Sequence, residues 1–280
     1  HPILHSFPTR RSSDLPFHTV PKYRWRFREL EEADNIYASV LSHADDRIGE
    51  VLDTLDRLKL TDNTLVVFSS DNGPARAAGP TELALMHDTA TGAGYGIGAA
   101  KGITGGRNGY KGAIFEGGIG VPFIARWPGK IAAGGVDKSS LFSAVDLLPT
   151  FCEVAGVKLP ANYSPDGLSQ VSTLIGKRNA KRQKPLFWKM QSAWPARSSQ
   201  PYHWVSYAIV DQNWKLVTNR DASYVELFDL TADPYEKTDL KAKEPEVVKQ
   251  LLAALTQWQT TLPAKPTGDV FSEERKQITK

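Results

Sequence analysis

The sequence predicts an α/β fold: a mixed, mostly parallel sheet flanked by helices, then a smaller C-terminal unit of antiparallel sheet plus helix. Three observations carry this. Apolar residues recur at three- and four-residue steps over residues 31–58, giving a long amphipathic helix. A short β-rich run, TLVVFSS at 64–70, follows directly and is apolar through its middle, as in a strand covered on both faces. It ends in Asp71-Asn72-Gly73-Pro74, and α/β sheets bind ligands at that strand edge. Beyond residue 175, short β-rich runs separated by turn residues close on a second amphipathic helix. The expected organisation is a suspect segment at 1–15, the larger unit at 16–175 and the small unit at 176–280.

Residues 1–15 (HPILHSFPTRRSSDL) show neither helix nor strand period and lack the shape of a signal peptide. Residues 5–15 resemble the in-frame translation of a DNA sequencing adapter, so the stretch is suspected to be non-native, with a native disordered arm the alternative; it is set aside either way, and native sequence upstream is expected to be missing. Residues 16–28 (PFHTVPKYRWRFR) are punctuated by proline and rich in bases and aromatics, and read as a surface loop. The long helix has glutamates at its start and Arg57 and Lys59 at its end, matching the macrodipole. A turn at Thr61-Asp62-Asn63 leads into the first strand. Residues 73–112 are too glycine-rich for much regular structure, and a loop this long is usually functional. A strand is expected at 121–127. A helix is expected at 143–155, with Pro149 forcing a kink or a break. Residues 176–184 form a basic connector. Strands follow at 185–190, 202–211, 214–219 and 224–230, in a meander. A helix at 244–260 puts Val247, Val248, Leu251, Leu252, Leu255 and Trp258 on one face.

The bulk numbers narrow the function classes. The chain has 280 residues, 41% hydrophobic and 23% charged, which is ordinary globular composition with length for a substantial core. Its 34 basic and 31 acidic residues nearly balance, so no nucleic-acid partner is implied. No apolar run approaches the ~20 residues of a bilayer-spanning helix. The single cysteine, Cys152, permits neither an internal disulfide nor a cysteine-based metal site, and its apolar helical setting reads as core packing.

Two stretches could carry chemistry. Ser69-Ser70-Asp71-Asn72-Gly73 sets a carboxylate beside an amide oxygen, a hard-oxygen pair suited to Ca²⁺ or Mg²⁺. Taken alone, it reads first as a plain turn. Residues 111–118 (KGAIFEGG) place Lys111 in a glycine-rich loop, where it could set a point charge on an anionic substrate. Taken alone, it reads as a solvated lysine, and Glu116 as a structural hydrogen-bonding residue, with a ligand or base role the alternative. His87 and His203 read as surface or hydrogen-bonded histidines, with pocket lining the alternative.

In this order, and followed by V-P-F-I at 121–124, the two stretches resemble the formylglycine-dependent sulfatases of the arylsulfatase type, in the alkaline-phosphatase-like superfamily. The supporting motifs are Asp45-Asp46 in the long helix, S-D-N-G at 70–73, K-G-x-x-F-E-G-G at 111–118, W-P-G-K at 127–130 and V-D-L-x-P-T at 145–150. Near the end come W-K-L at 214–216, E-L-F-D-L at 226–230 and D-P-x-E at 233–236. Gly120 departs from the arginine that many members carry before V-P.

The resemblance implies that Asp71 and Asn72 are the second half of a Ca²⁺ site, with Mg²⁺ fitting less well, and that Lys111 contacts the sulfate group. The family's C-x-P-S-R or S-x-P-S-R segment, whose Cys or Ser becomes formylglycine, does not occur in the chain. The fragment is therefore expected to be inactive by itself. The family also carries a catalytic histidine in an H-x-P segment before the long helix. Residues 16–23 look more like the stretch just after it, so His18 is the weaker catalytic candidate. The implied substrate is a sulfated carbohydrate or aryl ester, and the implied setting is periplasmic or secreted. A phosphodiesterase or phosphonate hydrolase of the same superfamily is the near alternative. A non-catalytic carbohydrate-binding module, stacking sugars on Trp188, Trp194, Tyr202, His203 and Trp204, is the distant one.

Overall fold

The computed structural model describes residues 20–74, 87–89, 92–94, 102–177, 182–190 and 205–263. Its first element corrects the expectation of a loop. Helix α1, Pro21–Arg26, has proline at its start, where the missing N–H costs nothing, and Arg24 and Arg26 in its last turn. The side chain of Asn35 donates to the carbonyls of Arg24 and Phe27, satisfying acceptors that α1 leaves open at its end. Asn35 lies in α2, Glu32–Arg57, the long helix that its period predicts. Ile36 and Val40 on α2 are buried, whereas Leu41, Val51 and Leu58 are exposed.

Strand β1, Val66–Ser69, ends where the sequence places its polar edge. Two short strands, β2 at His87–Thr89 and β3 at Gly92–Gly94, pair antiparallel inside the glycine-rich stretch. A four-residue helix, α3, spans Glu116–Ile119, and β4 spans Phe123–Arg126. β4 pairs antiparallel with β1, and no parallel pair occurs among the described residues. The expected cover on both faces of β1 is also incomplete. Its Phe68 and the facing Ile124 of β4 are 42% and 59% exposed. An apolar run shows that a strand can be covered, not which element covers it.

Pro149 is accommodated at the start of a helix. A 3₁₀ turn at Ala144–Asp146, closed by a capping box between Ser143 and Asp146, precedes helix α4 at Leu147–Val154. Pro149 thus falls in the first turn of α4, where no backbone donor is lost. The buried Asp146 takes a bidentate pair from Arg182 at 2.8 Å on both oxygens, plus the amides of Ser143 and Leu168. A further short helix, α5, spans Val171–Leu174.

The C-terminal unit follows its expected course. Strands β5 (Leu186–Lys189), β6 (Tyr207–Asp211), β7 (Trp214–Thr218) and β8 (Val225–Asp229) form an antiparallel meander in that order. Helix α6, Pro245–Thr261, covers one face by packing Leu251 and Leu255 on Tyr207, Ile209, Leu216 and Leu227. The period of two sends the alternate residues Ala208, Val217 and Phe228 to the other face. There they pack on Ala113, Ile114 and Phe115, immediately before the E-G-G glycines.

Candidate active site

The candidate residues are assembled by backbone contacts. At the end of β1 the Ser69 hydroxyl donates to Pro122 O at 2.9 Å, and the Ser70 hydroxyl to Asn72 O at 2.8 Å. The Asn72 amide nitrogen donates to Gly73 O at 2.9 Å, leaving Oδ1 as the atom able to bind a cation. Gly73 N donates to Gly118 O at 2.8 Å, and Lys111 N to Pro74 O at 2.8 Å. The two motifs read separately from the sequence are therefore cross-bonded at two points. Asp71 is exposed, whereas Asn72 and Lys111 are half-buried.

Glycine is required here for space. A Cβ on Gly73 would lie 1.9 Å from Gly117 O, and one on Gly118 would lie 2.1 Å from Ala113 O. Gly117 N also donates to Asn108 O at 2.6 Å. Bare backbone packs on bare backbone, which no side chain would permit.

Asp71 and Asn72 offer two adjacent hard oxygens, and Ca²⁺ takes six to eight at ~2.4 Å. They therefore fit part of such a site. No group of three or more His, Cys, Asp or Glu able to hold a metal occurs among the described residues. His18, His203, Trp194, Tyr202 and Trp204 lie outside the described residues, as does the side chain of His87. Trp188 on β5 is partly buried against the Ala113–Phe115 cluster. Cys152 is a half-buried free thiol in α4.

The structure adds a group not singled out in the sequence. Lys215, fully buried on β7, places Nζ 2.8 Å from Glu116 Oε1 and 2.8 Å from Glu236 Oε1. The first contact is a hydrogen bond, while the second is ionic without hydrogen-bond geometry. Glu236 Oε2 accepts from Glu116 N at 2.8 Å. Burial works to lower the Lys215 pKa, but the Glu116 and Glu236 carboxylates outweigh it and hold the pKa above its ordinary value. Burial pushes the Glu236 carboxyl up, against the pull of Lys215. The signal lay in alternation: Lys215 shares the inward face of β7 with Val217, and a lysine there needs partners.

The chain matches the family model described as sulfatase over residues 7–157 and that of the N-sulphoglucosamine sulphohydrolase C-terminal region over 108–261. It is 30% identical over 226 residues to an N-acetylgalactosamine-6-O-sulfatase of Bacteroides thetaiotaomicron, covering 76% of this chain and 39% of that protein. To human arylsulfatase K it is 27% identical over 235 residues, covering 81% and 37%. A solved structure described as a complex with its substrate, D-glucosamine-2-N,6-O-disulfate, superposes with a TM-score of 0.54 at 26% identity, covering 81% and 40%. The chain thus spans about two fifths of the length of the relatives it matches. With the S-D-N-G turn and K-G-x-x-F-E-G-G segment cross-bonded as described, and these matches across most of its length, the chain belongs to the sulfatase family.

Proposed function

We propose that this chain forms part of a sulfuric ester hydrolase acting on a sulfated carbohydrate or aryl ester. The carrying observation is the pair of backbone bonds, Gly73 to Gly118 and Lys111 to Pro74, that join the segment carrying Asp71 and Asn72 to the segment carrying Lys111 at a strand end. Asp71 and Asn72 would supply oxygens to a Ca²⁺ ion, the cation the family resemblance implies, with Mg²⁺ the second choice. When bound, the cation acts as a Lewis acid toward the sulfate oxygens. Lys111 binds the same group and balances its charge. The glycines around it let backbone approach the substrate. His18 is the weaker candidate for donating a proton to the leaving alcohol. The nucleophile, formylglycine in this family, comes from a C-x-P-S-R or S-x-P-S-R segment elsewhere in the enzyme. A sulfated carbohydrate is favoured by the N-acetylgalactosamine-6-O-sulfatase relative. The reading carries a periplasmic or secreted setting. No helix among the described residues is long and apolar enough to cross a membrane.

The test is to read the genomic frame containing this chain, express it whole and follow sulfate release from an aryl sulfate and from N-acetylgalactosamine 6-sulfate. Release should be lost on chelation, and Lys111→Ala should lower kcat/KM by about 10²–10³-fold. The 280-residue chain alone should release none. A frame without the nucleophile segment, or cleavage of phosphodiesters and not sulfate esters, would sink the reading.

A further inference from the structure

Three segments far apart in sequence meet at one buried point. Glu116 opens α3 inside the glycine segment, Lys215 is the second residue of β7, and Glu236 lies in the turn after β8. Two carboxylates share one ammonium there, with side chains of Lys215 and Glu236 fully shielded and Glu116 one-fifth exposed. Such a cluster is expensive to desolvate, and an apolar trio of equal volume would often hold a fold as well or better. The sheet has that option, since Val217 and Phe228 pack on the same face.

Glu236 bears a second cost. Its φ is +54°, a left-handed conformation that non-glycine residues seldom adopt. The turn that holds it there is built by Asp233, whose carboxylate takes the amides of Lys237 and Thr238 at 2.6 and 2.8 Å. Strain and desolvation are thus spent on one outcome, a carboxylate aimed at the Glu116 backbone N–H and at Lys215.

That N–H is one residue from the glycines that fix the strand end. Gly117 is bonded to Asn108, and Gly118 to Gly73, in contacts that leave no room for a Cβ. Displacing Glu116 must therefore displace Gly73, and with it Asn72 and Asp71. We propose that Glu116, Lys215 and Glu236 form a positioning triad, which uses the C-terminal sheet to set the Asp71–Asn72 turn against the Lys111 segment. The members are positioning residues, not catalytic ones, and the inference rests on the proposed function only for what the positioned groups bind.

The experiment uses the 280-residue chain, its Glu116→Gln, Glu236→Gln and Lys215→Met variants, and Lys215→Arg as a charge-conserving rescue. Amide hydrogen exchange is followed by NMR at Gly73, Gly117 and Gly118, with the amides of α2 and β6 as reporters of global stability. Selective acceleration at the three glycines, by about tenfold or more with the α2 amides unchanged, supports the triad, and Lys215→Arg should recover part of the protection. Equal acceleration everywhere, or none at the glycines, overturns it. Should Lys215→Met not fold, the isosteric Glu116→Gln variant carries the same comparison. Sulfate release by the whole enzyme and by its Lys111→Ala variant is followed separately. Selective loosening together with no sulfate release by the whole enzyme would leave the triad standing and remove the proposed role of Asp71, Asn72 and Lys111.

Discussion

At the scale of single residues, the site depends on atoms that are absent. Gly73, Gly117 and Gly118 pack backbone on backbone, and the missing Cβ at Gly73 would sit 1.9 Å from a carbonyl oxygen. Gly73→Ala must therefore separate the strand end from the glycine segment. Its expected cost is about 1–3 kcal/mol, as for overpacking a tight interior, read as a drop in the urea midpoint. A neutral Gly73→Ala would contradict the packing described here. Gly120 belongs to the same neighbourhood, since a Cβ there would lie 2.7 Å from Glu116 Oε2. The backbone and side chain of Glu116, as placed here, thus leave no room for a Cβ at position 120. Lys215 shows the complementary case, a charge tolerated in the core because its partners are fixed by neighbouring strands and turns.

At the scale of elements, helices with similar apolar patterning end in different surroundings. α6 is closed over a complete sheet, and its Leu255 is 1% exposed. α4 carries a comparable apolar sequence, yet its Leu148 is 49% exposed. Leu255→Ala should cost about 2–5 kcal/mol, whereas Leu148→Ala should stay near ~0.5 kcal/mol or below. Chemical denaturation of the two variants side by side measures the contrast, and equal losses would refute the burial pattern. The start of α4 is held by Asp146, which joins the capping box to Arg182 and the amide of Leu168. The V-D-L-x-P-T motif is thus explained by structure: the aspartate caps and pairs, and the proline occupies the first turn.

For the whole molecule, pH exposes the balance of its carboxylates. The Tyr23 hydroxyl first, and then Lys22, hold Asp46 below its ordinary value. The Ser140 hydroxyl, with the Ser139 and Ser140 amides, does the same for Asp137. A depressed folded-state pKa means that the unfolded chain takes up protons more readily. The stabilisation is therefore present above the ordinary value of 3.8 and is lost as pH falls through the folded values. Glu236 has the opposite sign, because its raised pKa makes ionisation a cost as pH climbs past 4.5. Melting temperature should therefore fall on acidification below about pH 4, and Asp137→Asn should flatten part of that slope. An unchanged acid slope in Asp137→Asn would show that this carboxylate plays no part in it.

The linear pattern of the chain was sufficient for its three longer helices, for the C-terminal meander and for the two segments that meet at the candidate site. Period and turn chemistry are local, and motif order is a property of the chain itself. The α1 helix was hidden because proline at a helix start and proline in a loop look alike until a partner, here Asn35, receives the helix end. The exposed side of β1 was hidden because covering a strand requires an element from elsewhere. The joining of Glu116, Lys215 and Glu236 was hidden for the same reason. Each lies in a motif visible in the sequence, but their meeting across 99 and 120 residues is decided only when the sheet closes on the glycine segment.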